Sequence, residues 1–424
     1  MAKSLLITYL LTYGGAAASL LDPFAGLLVY VCFSIIKPES LWFWSVPIGN
    51  YSKIVGIALL VGWVIHGFGD WRLGRARSVV LCLVGFLVWS AVGYVFAPDK
   101  NAARVFVEAV AKIVLPFLVG ITTINSVRKL KLLAWVIVVS QGYVAFELYL
   151  TYRGGYNRLQ DQGFGFMDNN SYAIGLVAAT GLAFFLGLGD SNLPRRLVAW
   201  TSALFCANAV FLAFSRGAML ALLITGMLAF LLIPKQPKHY LALGLAIVVA
   251  LRLAGPQVQE RFATIFSNSE KADSEGGGRL QLWKACVSVM IKSPVLGVGP
   301  DHWPLVAHQY GFTKGKSAHS LWLEVGADLG VPGLGMLAGF YLLCIARLRA
   351  LLNPRTYVFD PWIREAARMV ISALIGFMIA GQFVSLFGLE MPYFICLIGA
   401  GALKLNSQAE ESSPPATTVA WGTT

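Results

Sequence analysis

Apolar runs long enough to cross about 30 Å of hydrocarbon recur along almost the whole chain, and they constrain the fold more than any other feature. Within a bilayer, only helices and closed barrels satisfy their own backbone polar groups, and runs of this length fit helices. We therefore predict an all-α, polytopic integral membrane protein. The predicted spans are residues 4–20, 23–37, 51–68, 78–96, 104–124, 131–152, 171–188, 197–214, 217–233, 240–253, 320–346, 366–387 and 392–406.

The composition agrees with this class. Charged residues make up 13% of the chain, whereas a soluble protein carries about 25%. The first two runs are short and are separated by Asp22-Pro23, so we predict that residues 1–37 make one net crossing and that the total is about 12 transmembrane helices. Thirteen spans with an external N-terminus is the alternative.

The net charge of +12 does not indicate nucleic-acid binding, because its positions follow the membrane topology. Short basic loops alternate along the chain, and the positive-inside rule assigns such loops to the cytoplasm. They contain Arg72, Arg75, Arg77, Arg128, Lys129, Lys131, Arg195, Arg196, Lys235, Lys238, Arg347, Arg349 and Arg355.

The remaining loops are then extracytoplasmic by parity. One of them is a polar, glycine-rich segment at 255–318, which we predict to be a single long periplasmic loop. We predict that residues 1–406 form one transmembrane catalytic domain that includes this loop. Residues 407–424 are rich in Ser, Glu, Pro and Thr. This composition predicts a disordered cytoplasmic tail.

Arg216 stands between two apolar helical runs, in Ser215-Arg216-Gly217. A guanidinium at a membrane is costly unless it reaches the interface, pairs with an acid or faces a wet cavity. Parity places it on the external face, where topology does not call for positive charge. Its planar fork suits the oxygens of a phosphate, so we predict an anion ligand.

Arg279 follows Gly276-Gly277-Gly278 and begins an amphipathic helical pattern that also carries Lys284. A glycine-rich entry into a helix N-terminus offers free N–H groups to an anion. A flexible loop tip would give the same glycine pattern. We predict Arg279 as a second anion ligand and Lys284 as a substrate-binding residue.

His319 opens the apolar run that follows the long loop. Its ordinary pKa near 6.5 suits proton transfer at neutral pH, so we predict a general base or, alternatively, a residue that positions the acceptor. His302 and His308 lie in the same loop, but the three histidines lack a zinc-motif spacing and no cysteine joins them. We therefore predict no metal and no cofactor.

Other polar residues on the external face extend this prediction. Arg153 and Arg158 are assigned to a basic, substrate-binding rim, and Asp301 to an acceptor hydroxyl or to an arginine, with turn capping as the alternative. Glu108 and Lys112 are four residues apart, on one face of a helix. We therefore predict that they form an internal ion pair.

Motifs in three regions of the chain (one helix, the long loop and the run that follows it) together resemble a known family. Ser-Arg-Gly-Ala at 215–218 precedes Gly-Arg-Leu-Gln-Leu-Trp at 278–283 and Pro-Val-Leu-Gly-Val-Gly-Pro-Asp at 294–301, and His-Ser-Leu-Trp-Leu-Glu follows at 319–324. This order is similar to that of the O-antigen ligase and polymerase superfamily of membrane glycosyltransferases. The family's helix arginine, loop arginine and histidine fall on Arg216, Arg279 and His319. Ser320 stands where many members have asparagine.

The resemblance implies transfer of a glycan from undecaprenyl diphosphate to a hydroxyl acceptor, which in the ligases is the lipid A–core oligosaccharide. It implies a reaction without metal or ATP at the periplasmic face of the bacterial inner membrane. The partners would be the lipid-linked donor, the acceptor and membrane lipids, with no nucleic acid. An O-antigen polymerase, a protein O-oligosaccharyltransferase and a lipid-linked glycan transporter remain alternatives.

Overall fold

The computed structural model describes residues 3–233, 240, 244 and 270–412. The described residues form helices joined by short loops, and they contain no β-strand. The helices are α1 (Lys3–Leu21), α2 (Pro23–Ile36), α3 (Pro38–Leu41), α4 (Tyr51–Ile65), α5 (Arg77–Phe96), α6 (Lys100–Thr123), α7 (Val127–Arg153), α8 (Arg158–Gln162), α9 (Asn169–Gly189), α10 (Leu193–Leu212), α11 (Arg216–Leu232), α12 (Glu270–Lys292), α13 (Trp303–Val306), α14 (Leu321–Leu351), α15 (Trp362–Ala380) and α16 (Met391–Ser412), with 3₁₀ turns at Gly74–Ala76, Ala307–Tyr310 and Gly381–Phe383.

The prediction of a polytopic, all-α membrane protein is confirmed. Among the described residues, 8 helices are long and apolar enough to cross a membrane, and α4 and α11 are shorter apolar helices. Large apolar side chains stay exposed on the outer helix faces, such as Leu10 at 64% and Leu231 at 67% exposure. Water would disfavour such a surface, whereas hydrocarbon accommodates it. The predicted span 240–253 lies almost wholly outside the described residues.

The N-terminal residues form two separate antiparallel helices. The Asp22 side chain accepts the N–H of Phe24 at 3.0 Å and caps α2, which ends α1 and reverses the chain. Lys129 Nζ lies 5.0 Å from the centre of the Phe24 ring, beside a basic loop. At the other end of α2, Lys37 Nζ donates to Gly165 O at 3.0 Å. Lys3–Leu21 and Pro23–Leu41 are each long and apolar enough to cross a membrane, as the alternative of thirteen spans requires.

Several of the basic loops meet at one end of the bundle. Arg347 donates to the carbonyl of Arg75 at 3.0 Å, and Arg75 forms an ion pair with Glu410 at 2.8 Å. Lys404, buried on α16, donates to the carbonyl of Asp70 at 2.9 Å. We call this the basic end.

Helix α16 continues six residues past the predicted end of the membrane domain at 406, to Ser412. Polar contacts with the basic end hold this extension: Gln408 Nε2 donates to Asp70 Oδ2 at 3.1 Å, and Glu410 pairs with Arg75. The predicted tail boundary at 407 was therefore placed too early. Residues 413–424 lie outside the described residues.

The segment predicted as one long loop is largely helical where it is described, from residue 270 onward. Leu282 and Cys286 of α12 pack with Trp303 of α13 and Ala327 of α14 in a small buried cluster of their own. This segment therefore packs against α14. Residues 255–269 lie outside the described residues.

Helix α14 is broken at Gly330, whose φ of 69° and ψ of −173° are not helical. Pro332 follows and has no N–H to donate to the preceding turn. The break frees backbone groups inside a membrane helix, and such groups need other partners. The first part of α14, Leu321–Leu329, is consequently a short helix that begins beside His319.

The broken helix is completed by the segment that precedes α13. Val298 N–H donates to Ala327 O and Gly299 N–H donates to Asp328 O, both at 2.9 Å. Trp89 of α5 donates to Leu329 O at 2.9 Å. The glycine- and proline-containing segments at 297–300 and 330–332 therefore serve one structural purpose, which is to pair a loop with a helix break.

Candidate functional site

A cavity of about 510 Å³ opens at the end of the bundle opposite the basic end. It lies between the first turns of α9 and α11, the middle of α12 and the turn that precedes α14. Polar surface predominates in its lining. The lining residues are Gln160, Asn169, Asn170, Phe214, Ser215, Arg216, Gly217, Gly278, Arg279, Leu282, Phe312, Lys316, His319 and Phe383.

Arg216 is the first residue of α11, and Ser215 is its N-cap. The first-turn amides of a helix lack partners within the helix, and the helix dipole places partial positive charge there. Arg216 is half-buried, and no acidic residue occurs in this turn. A guanidinium and a helix N-terminus thus face the cavity together, which suits an anion.

Arg279 reaches the same cavity from the interior of α12. The sequence predicted that Gly276-Gly277-Gly278 lead into a helix N-terminus, but α12 begins earlier, at Glu270. This expectation was wrong, because the polar residues before the glycines continue the helical turns. The helix N-terminus beside the arginines belongs to α11 instead.

His319 lies in the turn before α14, half-buried, with a positive φ of 51°. A left-handed backbone is uncommon outside glycine and costs about 1–3 kcal/mol. Burial lowers the pKa of His319, and the positive charges of Arg279 and Lys316 lower it further, while Asp168 acts in the opposite direction. The neutral imidazole, which accepts a proton, is therefore favoured at neutral pH.

The structure adds cavity residues that the sequence interpretation missed. Lys316 supplies a third cation, and Gln160, Asn169 and Asn170 supply amide groups. Asn169 Nδ2 donates to Ala213 O at 2.8 Å and so ties the start of α9 to the end of α10. A Gly-Lys pair in a loop and an Asn-Asn pair at a helix start are common patterns, so they carried no signal by themselves.

Four predicted substrate-binding residues do not line this cavity. Arg153 and Lys284 are exposed elsewhere, at the end of α7 and on another face of α12. Asp301 borders a separate small pocket with Asp328 and Glu324, and burial raises its pKa.

Arg158 is buried between two rings. Its guanidinium lies 4.9 Å from the Phe43 ring centre and 5.7 Å from that of Phe164. It donates to the carbonyls of Leu41 and Ser40 and so caps the end of α3. Arg158 borders a second cavity, which shares no lining residue with the main one. The basic rim predicted from Arg153 and Arg158 is not assembled at the main cavity.

Two further residues have structural partners. Glu108 forms an ion pair with Arg104 at 3.0 Å on an exposed face of α6, so the predicted internal pair with Lys112 was wrong. His302 is buried, and its Nε2 accepts the N–H of Asp99 at 2.9 Å, which joins two loops at this end.

Comparisons with known proteins locate family similarity in two parts of the chain. Residues 201–338 match the family described as O-Antigen ligase. Residues 1–186 match a family of unknown function (DUF5935). None of the curated proteins matches the chain. The first matched stretch contains Arg216, Arg279 and His319, the three predicted catalytic residues that line the cavity.

Proposed function

We propose that this chain, a member of the O-antigen ligase and polymerase superfamily, is an O-antigen ligase. It transfers a glycan from undecaprenyl diphosphate to a hydroxyl of lipid A–core oligosaccharide. The observation that carries this proposal is the convergence of Arg216, Arg279 and His319, from three separate segments, on one cavity.

The two arginines are assigned to the diphosphate. When the bond between the sugar and the diphosphate breaks, negative charge develops on the departing oxygen. Fixed cations in a partly dehydrated site stabilise that charge without reorganising. Arg216 and Arg279 offer planar forks for paired phosphate oxygens, and Lys316 adds a point charge at the rim. This arrangement supplies the charge stabilisation that a metal ion supplies elsewhere, so the proposed reaction is metal-independent.

His319 is assigned to the acceptor. The acceptor hydroxyl oxygen attacks the anomeric carbon, the carbon–oxygen bond to the diphosphate breaks, and the hydroxyl proton passes to the neutral imidazole. Undecaprenyl diphosphate leaves with the electron pair of the broken bond. General base catalysis of this kind contributes about 10²- to 10⁴-fold to a rate. The lowered pKa of His319 supports the assignment because it keeps the base unprotonated.

Other lining residues of the cavity suit a sugar. Gln160 and Asn170 present amide groups that can donate to and accept from hydroxyls. Phe312 and Phe383 add apolar ring surface. We assign these four residues to the sugar units next to the reacting bond.

The proposed location is the bacterial inner membrane, with the cavity facing the periplasm. The support is the positive-inside rule, because several loops rich in Lys and Arg meet at the opposite end of the bundle.

Incubation of the purified protein with undecaprenyl diphosphate-linked glycan and lipid A–core tests the proposal. We expect lipid A–core to gain the mass of the glycan, without ATP and in the presence of a chelator. Growth of the lipid-linked glycan alone would identify a polymerase. Movement of the donor across a vesicle membrane without transfer would identify a transporter and contradict the proposal.

A further inference from the structure

The peptide units on both sides of His319 are held by side chains. The N–H of Ala318 donates to Glu324 Oε2 at 2.5 Å, and the N–H of Ser320 donates to Ser385 Oγ at 3.2 Å. These bonds fix the backbone before and after His319. They leave the imidazole free to face the cavity.

Glu324 reaches back beyond the N-cap of α14. Ser320 is that N-cap, and its Oγ accepts the N–H of Leu323 at 3.4 Å. In the usual capping box, an acidic side chain in the first turn returns to the N-cap itself. Glu324 instead passes the N-cap and bonds Ala318, two residues earlier. The Glu324 side chain therefore connects α14 to the peptide unit that precedes His319.

Ala318 is fully buried, so its N–H requires a partner within the protein. Its carbonyl is also engaged, because Trp283 Nε1 of α12 donates to it at 3.2 Å. The peptide before His319 is thus tied both to α14 and to α12, the helix that carries Arg279. These ties hold His319 in its left-handed conformation, with φ of 51°.

We propose that Glu324 is a positioning residue for the reaction, which directs the imidazole of His319 into the cavity by holding the amide of Ala318. This inference rests on the proposed function of His319. Glu324 does not line the main cavity, so it acts through the backbone and not on the substrate.

The role depends on an acceptor oxygen at this position. Glu324→Gln keeps an acceptor oxygen on a side chain of the same length. Glu324→Ala removes it, and Glu324→Asp shortens the reach by one methylene. We expect Glu324→Ala to lower kcat by about 10²-fold with an unchanged KM for the lipid-linked donor, because a displaced catalytic group loses its alignment. Glu324→Gln should stay within about threefold of the wild-type kcat.

Asp328→Asn is the matched control. Asp328 is a buried carboxyl group on the same helix, and its Oδ1 accepts the N–H groups of His302 and Trp303, not those beside His319. We expect its kcat per folded protein to stay near wild type. If Asp328→Asn and Glu324→Ala lower kcat equally, the positioning role is overturned and a general structural role replaces it.

A second readout does not depend on glycan transfer. Histidine-labelled protein gives imidazole NMR signals, and His319→Gln identifies the signal of His319 among the five histidines. We expect Glu324→Ala to shift this signal and its titration midpoint, whereas Glu324→Gln leaves both unchanged. If Glu324→Ala does not fold, Glu324→Asp should give the same shift in smaller measure.

An unmoved His319 signal in folded Glu324→Ala or Glu324→Asp overturns the positioning role, even if the wild-type protein transfers glycan. A shifted signal in a protein that transfers no glycan supports the positioning of His319 while contradicting the proposed function. Loss of kcat in Glu324→Gln, with an unmoved signal, would indicate a proton relay instead of positioning and also overturns the proposal.

Discussion

Gly217 and Phe383 are in direct contact where α11 begins. A Cβ atom added at Gly217 would lie 2.7 Å from Cβ of Phe383, closer than real Cβ contacts come. The contact places the first turn of α11, and with it Arg216, against the 3₁₀ turn Gly381–Phe383. The position of the arginine therefore depends on the absence of one methyl group in its neighbour.

Gly217→Ala should consequently displace Arg216 and reduce glycan transfer. Overpacking of this kind costs about 1–3 kcal/mol, and a displaced ligand should lower the transfer rate by about tenfold or more. Gly226→Ala, on the same helix, is the control, because an added Cβ there meets nothing within 4 Å. Equal activity of the two variants, measured per folded protein, would show that this contact does not position the arginine.

Arg216→Lys and Arg279→Lys should each lose most of the activity although the net charge is kept. A compact ammonium group cannot reproduce two parallel bonds to phosphate oxygens. Arg104→Lys is the control, since Arg104 forms an exposed pair with Glu108 outside the cavity. Rates of transfer near wild type in both lysine variants, at equal expression, would refute the role of the arginines.

The transfer rate should fall on acidification as His319 becomes protonated. Burial and the charges of Arg279 and Lys316 lower its pKa, so the acid limb should lie below the ordinary value of about 6.5. Lys316→Gln removes a repulsive charge and should move the limb to higher pH. Asp168→Asn removes the attractive charge and should move it to lower pH, while the amide can still cap α9. Single-turnover rates against pH measure both shifts, and an acid limb that does not respond to either change contradicts a base at His319.

The two ends of the bundle should be reached from opposite sides of the membrane. A cysteine at the exposed position Lys314, near the cavity, should react with an impermeant thiol reagent added to the periplasm. One at Arg355, which is exposed in the basic loop after α14, should react only after the membrane is opened. Native cysteines are replaced beforehand. The reverse pattern would place the cavity in the cytoplasm.

The membrane fold could be predicted from the sequence because run length and backbone hydrogen bonding leave few alternatives to helices. Arg216, Arg279 and His319 could be selected because each places charge or a titratable group where an apolar chain does not need it. The order of the motifs that contain them then associated these residues with one family. These signals are local, so they can be recognised in the sequence without knowledge of how the chain packs.

Contacts between residues far apart in the sequence could not be predicted from these local signals. The break at Gly330 is completed by the loop at Val298 and Gly299, and this pairing depends on how the loop folds back. Arg158 was assigned to substrate because its charge is visible, whereas its contacts with Phe43 and Phe164 are not. Arg158 was expected at the surface, but it is buried and has a structural role.

In the proposed reaction, His319 takes the acceptor proton in a cavity whose arginines bind the donor diphosphate. Single-turnover transfer and donor binding should be compared for wild type, His319→Ala and His319→Gln. We expect both variants to bind the lipid-linked donor as tightly as wild type but to transfer glycan at least about 10²-fold more slowly. Substantial transfer by His319→Gln, without an acid limb, would show that His319 only positions the acceptor and does not act as the base.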